Sequence, residues 1–245
     1  MRSKWPKTFP PLSAEKLRIN NEFVKMWHEI LPNRFGRIER FNHGYPVRYR
    51  PPSFLSTLEI GAGLGEHLEY EKLTPQQERE YYSLELRENM CAEIRNRYPR
   101  VQALLGNCQD QLPFPDDYFD RVLAIHVLEH LPNLPAAVAE MYRVCNKEHG
   151  VISVVIPCEG GFAYSMARRL SAQRVFEKHF KQPYKWFIER EHINRPQEIF
   201  DELNPYFTVA HRRFFPFRIP LLFCNLVIGI TLTPRLLAQV QMRAA

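Results

Sequence analysis

Two apolar rhythms alternate along the 245-residue chain. Short runs dense in Val, Ile, Leu and Tyr predict buried strands, and segments with apolar positions every three or four residues predict amphipathic helices. The strand runs fall at 54–60, 81–85, 101–105, 121–126, 151–156, 207–215 and 225–231. Helices are predicted from about Gly65, up to Tyr98, and over 134–145. Ser13 is placed to cap an earlier helix through AEKLRINNEFVKMWHEIL, which Pro32 is expected to stop. The following FNHGYPVRYRPP reads as a loop. Strands alternating with helices predict an α/β fold, a doubly wound sheet of about seven strands with helices on both faces.

After Pro157 the rhythm changes. Residues 162–187 carry basic side chains between Met166, Leu170, Phe176 and Phe180, as one or two amphipathic helices would. The expected organisation is a helical cap over 1–50, a ligand-binding core over 51–160, a helical lid over 161–205, and final strands with a tail over 206–245. The most apolar stretch, IPLLFCNLVIGITL, has only 14 residues and contains Pro220 and Asn225. It is too short to span a bilayer and reads as a buried strand with its approach loop.

Composition narrows the class. Apolar residues make up 45% and charged residues 24%, which excludes collagen, a coiled coil or a disordered chain. Five dispersed cysteines form no C-x-x-C pair, so neither a disulfide framework nor a cysteine metal site is indicated. With no secretory signal read in MRSKWPKTFPPL, a cytoplasmic location is expected. Charge is uneven: the net formal charge is +7 over 1–50, −8 over 51–160 and +7 over the remainder. Basic flanks around an acidic middle suit either an anionic partner or simple internal neutralisation.

The first chemical signal is Leu58-Glu59-Ile60-Gly61-Ala62-Gly63-Leu64-Gly65, a strand running into a glycine turn. Glycines let backbone approach a ligand closely. Glu66 breaks the dinucleotide spacing, and no Gly-Lys-Ser/Thr follows, so pyrophosphate readings weaken. His126-Val127-Leu128-Glu129-His130 fits the H-x-x-E-H zinc pattern, but that pattern needs a helix. The apolar run before it reads as a strand, and Pro132 follows closely. No metal is expected.

Taken together, these motifs resemble class I S-adenosylmethionine-dependent methyltransferases of the small bacterial type. The matching segments are Glu59 with the glycine turn, Glu85 at the end of the second strand, the run Leu112-Pro113-Phe114-Pro115-Asp116-Asp117-Tyr118-Phe119-Asp120, and Val127-Leu128-Glu129-His130-Leu131. The resemblance covers about residues 54–160 and implies a Rossmann-like methyltransferase sheet with its last strand antiparallel. It implies S-adenosylmethionine as methyl donor, with S-adenosylhomocysteine as product. The cofactor would be held by Glu59, Gly61, Ala62, Gly63, Gly65, Glu85, Leu86, Asn107, Cys108 and His126. Glu85 would take both ribose hydroxyls, since one carboxylate accepts two hydrogen bonds. Where many relatives carry Gly-Asp, this chain has Gly106-Asn107-Cys108, so Asn107 is either an adenine contact or a turn residue.

On that reading the chemistry is displacement at a methyl carbon, governed by alignment. A hydroxyl acceptor also wants a base, and His126 and His192 are the candidates. Tyr164, Arg168, Tyr184, Trp186 and His192 are candidates to line the acceptor pocket. The expected activity is O-methylation of a small molecule or of a bacterial glycan or lipid-linked sugar precursor, anionic in character. Transient contact with the inner face of an anionic membrane is also expected. RNA methylation and a catalytically silent binding protein are the alternatives. Cys158 has no second cysteine after the fourth strand, so nucleic acid is not the expected partner. Oligomeric state is not legible in the sequence.

Overall fold

The computed structural model describes residues 4–9 and 11–236. The chain begins with helices α1 (Ala14–Arg34) and α2 (Gly36–Arg48). Strand β1 (Thr57–Ile60) runs into the glycine turn and a single 3-10 segment, Glu66–Tyr70. Helix α3 (Pro75–Arg79), strand β2 (Tyr81–Glu85), helix α4 (Glu88–Arg97) and strand β3 (Gln102–Leu105) follow. Strand β4 (Arg121–Ile125), helix α5 (Leu134–Val144) and strand β5 (Val151–Pro157) complete the alternating part. Helices α6 (Phe162–Arg168), α7 (Arg174–Phe180), α8 (Lys185–Glu191) and α9 (Pro196–Leu203) form an insert before strands β6 (Phe207–Phe215) and β7 (Val227–Pro234).

The seven strands lie in the order β3-β2-β1-β4-β5-β7-β6. The first five pair in parallel, and β7 runs antiparallel to both of its neighbours. A sheet covered on both faces needs strands that are buried throughout, and every residue of β1 is buried. One face carries Leu58, Ile60, Val122, Ala124, Ile152 and Val154 against α5 and α9. The opposite face takes Tyr81 and Leu123 against α4, and Val155 against Tyr45 of α2. The order reverses between β1 and β4, and a ligand crevice opens outside the strand ends at such a point.

Three local expectations are corrected. The helix expected from Gly65 is one 3-10 turn, because Gly65 adopts φ +82 and Thr74 with Pro75 starts a separate, properly capped helix. α1 runs past Pro32 to Arg34, so the helix ends within two residues after the proline instead of at it. The loop read over 41–52 is mostly helix α2. Its Tyr45 packs over Gly229 and places its hydroxyl 3.0 Å from Thr231 Oγ1, tertiary contacts that local propensity does not register.

The Ser13 cap is present, its hydroxyl accepting from Lys16 N–H at 3.3 Å. α1 packs on the insert instead of the sheet: Phe23 lies among Phe176, Tyr184 and Phe187 with ring centroids 5.0–6.1 Å apart. The approach to β7 is exposed at Ile219, Leu221 and Phe223, whereas the strand itself is buried.

Candidate active site

At the end of β1 the chain turns sharply. Gly61 and Ala62 donate their N–H groups to Leu84 carbonyl at 2.8 and 3.2 Å, which tucks the turn against β2. Gly61, Gly63 and Gly65 all have positive φ, +66, +58 and +82. A side chain at Gly61 would in addition place its Cβ 2.5 Å from Val127 Cγ2.

Glu85 closes β2 beside this turn. Its Oε2 accepts from Gly63 N–H at 3.2 Å, and its Oε1 from Leu86 N–H at 2.9 Å. Each oxygen retains acceptor capacity, so the carboxylate is aimed and available for a pair of hydroxyls. Leu86 beside it is exposed and offers an apolar surface at the rim. Asn107 Oδ1 accepts from Gln109 N–H at 3.1 Å and Gln109 Nε2 at 2.9 Å, which forms a local turn. Cys108 is buried, and burial pushes its thiol up to about 12.

Ala62 is buried beneath the turn. Glu59 lies deeper, fully enclosed, with Tyr81 donating its hydroxyl to Oε2 at 2.8 Å. Burial pushes its carboxyl up to about 8, and the charges of Glu66 and Glu71 reinforce that rise. Sequence reasoning missed Glu66, whose carboxylate accepts from Leu64 N–H at 2.9 Å. It stands three residues after Gly63, where a dinucleotide fingerprint would have glycine.

The end of β4 forms a second cluster. His126 holds a left-handed backbone, φ +54, which is uncommon for a residue with a side chain. Its Nδ1 lies 3.1 Å from Glu129 Oε1. Glu129 is fully buried; burial opposes its ionisation, but the His126 hydrogen bond and the charges of His130 and His126 hold it down at about 2. Only one 3-10 turn, Leu128–His130, follows the strand, so the H-x-x-E-H string does not lie on a helix.

The insert is clamped onto this turn. Ile193 and Asn194 donate their N–H groups to Glu129 carbonyl at 2.9 and 3.0 Å. Asn194 Nδ2 donates to the carbonyls of Leu128 and Leu131 at 2.8 and 2.7 Å. This clamp brings the His192 ring within 5.0 Å of the His130 ring. His192 donates Nδ1–H to Glu159 Oε2 at 2.8 Å, and Glu159 also pairs with Arg168. Tyr164 hydroxyl stands 3.5 Å from His192 Nδ1. On the α2 side, Glu39 meets His43 Nε2 at 3.3 Å. The loop reading over 41–52 hid His43, and Glu39 and Glu159 stood out by no motif.

A cavity of about 610 Å³ opens under the insert, with Arg168, Tyr184, His192, Glu159, Lys7 and Arg195 in its wall. Neither Tyr164 nor Trp186, both expected there, is in that wall. Trp186 packs on Phe176 at 5.7 Å, with Lys16 Nζ 5.2 Å from its ring. Basic and acidic side chains both line the cavity, so its character is mixed.

Comparison with known proteins bears on the fold that carries these residues. A methyltransferase domain model matches residues 58–153. The chain is 31% identical over 142 residues to a malonyl-(acyl-carrier protein) O-methyltransferase of Halorhodospira halophila, covering 57% of this chain and 44% of that protein. It is 36% identical over 100 residues to a protein of Mycolicibacterium smegmatis named "Probable S-adenosylmethionine-dependent methyltransferase", covering 41% and 37%. The chain thus spans less than half the length of these curated relatives. Among solved structures, a SAM-dependent methyltransferase of Thermotoga maritima superposes with a TM-score of 0.58 at 20% identity, covering 88% of this chain and 98% of that one. A chain from the Haloferax volcanii complex of the Trm112 activator with a methyltransferase superposes at 0.59 and 14% identity, covering 86% and 96%. Residues 58–153 therefore match a methyltransferase domain model, within a chain that has the class I S-adenosylmethionine-dependent methyltransferase fold.

Proposed function

We propose that the chain transfers a methyl group from S-adenosylmethionine to an oxygen of a small-molecule, glycan or lipid-linked sugar acceptor. The observation that carries the donor half is the Glu85 carboxylate, aimed by Gly63 and Leu86 N–H groups beside three glycines of positive φ. An aimed carboxylate next to close-approach backbone is what a ribose diol with an adjoining charged group requires. Glu85 takes the ribose hydroxyls, Leu86 and the Asn107–Cys108 turn flank the adenine, and the glycine turn faces the methionine end.

The acceptor enters from the cavity under the insert. Its hydroxyl must lie in line with the methyl carbon and sulfur, so alignment dominates the rate. His126 stands at the crevice mouth and takes the hydroxyl proton on Nε2, with Glu129 fixing its ring as a carboxylate partner does in other histidine bases. His192, Arg168 and Tyr184 position the acceptor, and Arg168 favours an anionic group. The O-methyltransferase name borne by the Halorhodospira relative supports oxygen as the target.

Among the described residues no helix is long and apolar enough to cross a membrane. Peripheral contact with an anionic membrane is supported by Phe162, Met166 and Leu170, exposed at four-residue spacing, with Phe223 stacked on Phe162 at 5.6 Å and Arg169 within the same run. Flotation with anionic vesicles is expected to carry the protein, and Phe223→Asp to reduce that fraction. Equal flotation of the variant would remove this contact from the proposal.

Calorimetric titration with S-adenosylmethionine and S-adenosylhomocysteine tests the donor half. Both are expected to bind at one site. Methyl-labelled donor with a panel of hydroxyl, sugar-phosphate and RNA acceptors tests the other half. His126→Ala is expected to lower turnover by about 10²–10⁴ while cofactor affinity stays within a few-fold. No cofactor binding by the folded protein overturns the reading, and labelling of RNA alone replaces its acceptor.

A further inference from the structure

The cluster at the end of β4 contains more than one histidine base needs. Glu129, His130 and His192 offer one carboxylate oxygen and two imidazole nitrogens, all within 4.8 Å of one another. We infer that these three side chains bind a borderline divalent cation such as Zn²⁺ between the methyl-donor crevice and the acceptor cavity, a metal where the sequence led us to expect none.

Three independent features support this. First, both rings are oriented from behind. His130 donates Nδ1–H to Glu191 carbonyl at 2.6 Å, and His192 donates Nδ1–H to Glu159 at 2.8 Å. These bonds fix the tautomers that leave Nε2 unprotonated, the arrangement found behind metal-bound histidines. Second, Glu129 Oε2 is completely buried without a hydrogen-bond partner, while Oε1 is taken by His126. A buried carboxylate oxygen lacking a donor is costly unless something positive comes to it. Third, the set is two histidines and a carboxylate with partial exposure, His130 at 36% and His192 at 17%. That leaves open positions for water or an acceptor oxygen, as in three-ligand catalytic zinc sites.

The geometry asks for a small contraction. Ligands about 2.1 Å from one ion stand at most about 4.2 Å apart. The widest pair, at up to 4.8 Å, closes by about half an ångström through side-chain rotation. The trio differs from the H-x-x-E-H zinc pattern because the second histidine comes from the clamped insert and His126 stays outside. The ion's role rests on the proposed function: it would hold the acceptor oxygen and lower that oxygen's pKa while His126 takes the proton. Binding of the ion does not depend on that role.

The test is a titration of the metal-free protein, stripped with chelator, with Zn²⁺ alone and separately with Co²⁺. One equivalent is expected to bind, with Co²⁺ giving visible bands of a low-coordinate nitrogen–oxygen site. His192→Ala and Glu129→Gln are expected to weaken Zn²⁺ binding by at least about a hundredfold. Glu159→Gln, which only loosens ring orientation, is expected to weaken it by about ten- to a hundredfold. His149→Ala, at an exposed histidine paired with Asp120, serves as the control and is expected to bind as the parent does. Should Glu129→Gln fail to fold, the partly exposed His130→Asn replaces it. Absence of stoichiometric binding, or binding undiminished in His192→Ala, overturns the site. Metal binding without methyl transfer would retain the site and refute only the proposed function.

Discussion

Glu85→Gln isolates the donor assignment with little change of shape. In the parent, Glu85 Oε1 accepts from Leu86 N–H at 2.9 Å and Oε2 from Gly63 N–H at 3.2 Å. The carboxylate therefore faces two backbone donors and, on the proposal, two ribose O–H donors. The amide replaces one acceptor with an NH₂ group. Whichever way it turns, one backbone N–H confronts a donor, and one ribose hydroxyl loses its charged acceptor. A hydrogen bond to a charged group contributes about 1.5–3 kcal/mol. We expect a loss of about 2–3 kcal/mol in cofactor binding, or roughly thirty- to hundred-and-fifty-fold in Kd. The assay is calorimetry with S-adenosylhomocysteine, which needs no acceptor, alongside thermal unfolding of both proteins. Affinity within threefold of the parent, at unchanged Tm, refutes the ribose role of Glu85.

Three further predictions concern the scaffold under the site. Gly61→Ala combines a positive φ with a Cβ 2.5 Å from Val127 Cγ2, so it should cost about 1–3 kcal/mol in urea unfolding and impair cofactor binding; unchanged stability would show that the turn relaxes freely. Glu71 is buried against Arg121 and His67; burial raises its pKa, but those partners win and bring it to about 2. Because the folded value lies below the unfolded one near 4.3, its contribution is full above that pH and lost as pH falls toward 2. The stability gap between parent and Glu71→Gln should shrink by about 3 kcal/mol from pH 6 to pH 2, and a constant gap would contradict the ionised state. Glu59 has the opposite sign: burial lifts its folded value to about 8, so the unfolded chain ionises first and parent stability should decline from about pH 4.3 to 8 relative to Glu59→Gln. Parallel pH profiles would refute a protonated Glu59.

Much of the fold was legible in the pattern. The strands β2 (Tyr81–Glu85) and β5 (Val151–Pro157) lie where the apolar runs put them, because a strand buried on both faces needs high apolar density. The glycine turn was legible because close backbone approach leaves few residue choices. Helix α2 was not, since Pro46 and Gly44 argue locally for a loop and packing of Tyr45 on β7 decides otherwise.

What the sequence determined by itself is therefore the alternating core and the donor side of the crevice. There, function rests on residues close together in the chain, and spacing is itself geometry: Gly61 to Gly65 form one turn, and Glu85 ends the neighbouring strand. What only the tertiary structure decided is the other side. Asn194 ties the insert to the turn after β4, and that tie sets His192 beside His130 and a buried Glu129. No local pattern encodes that meeting, because it depends on hydrogen bonds between segments distant in the chain, and their formation depends on how the whole insert packs.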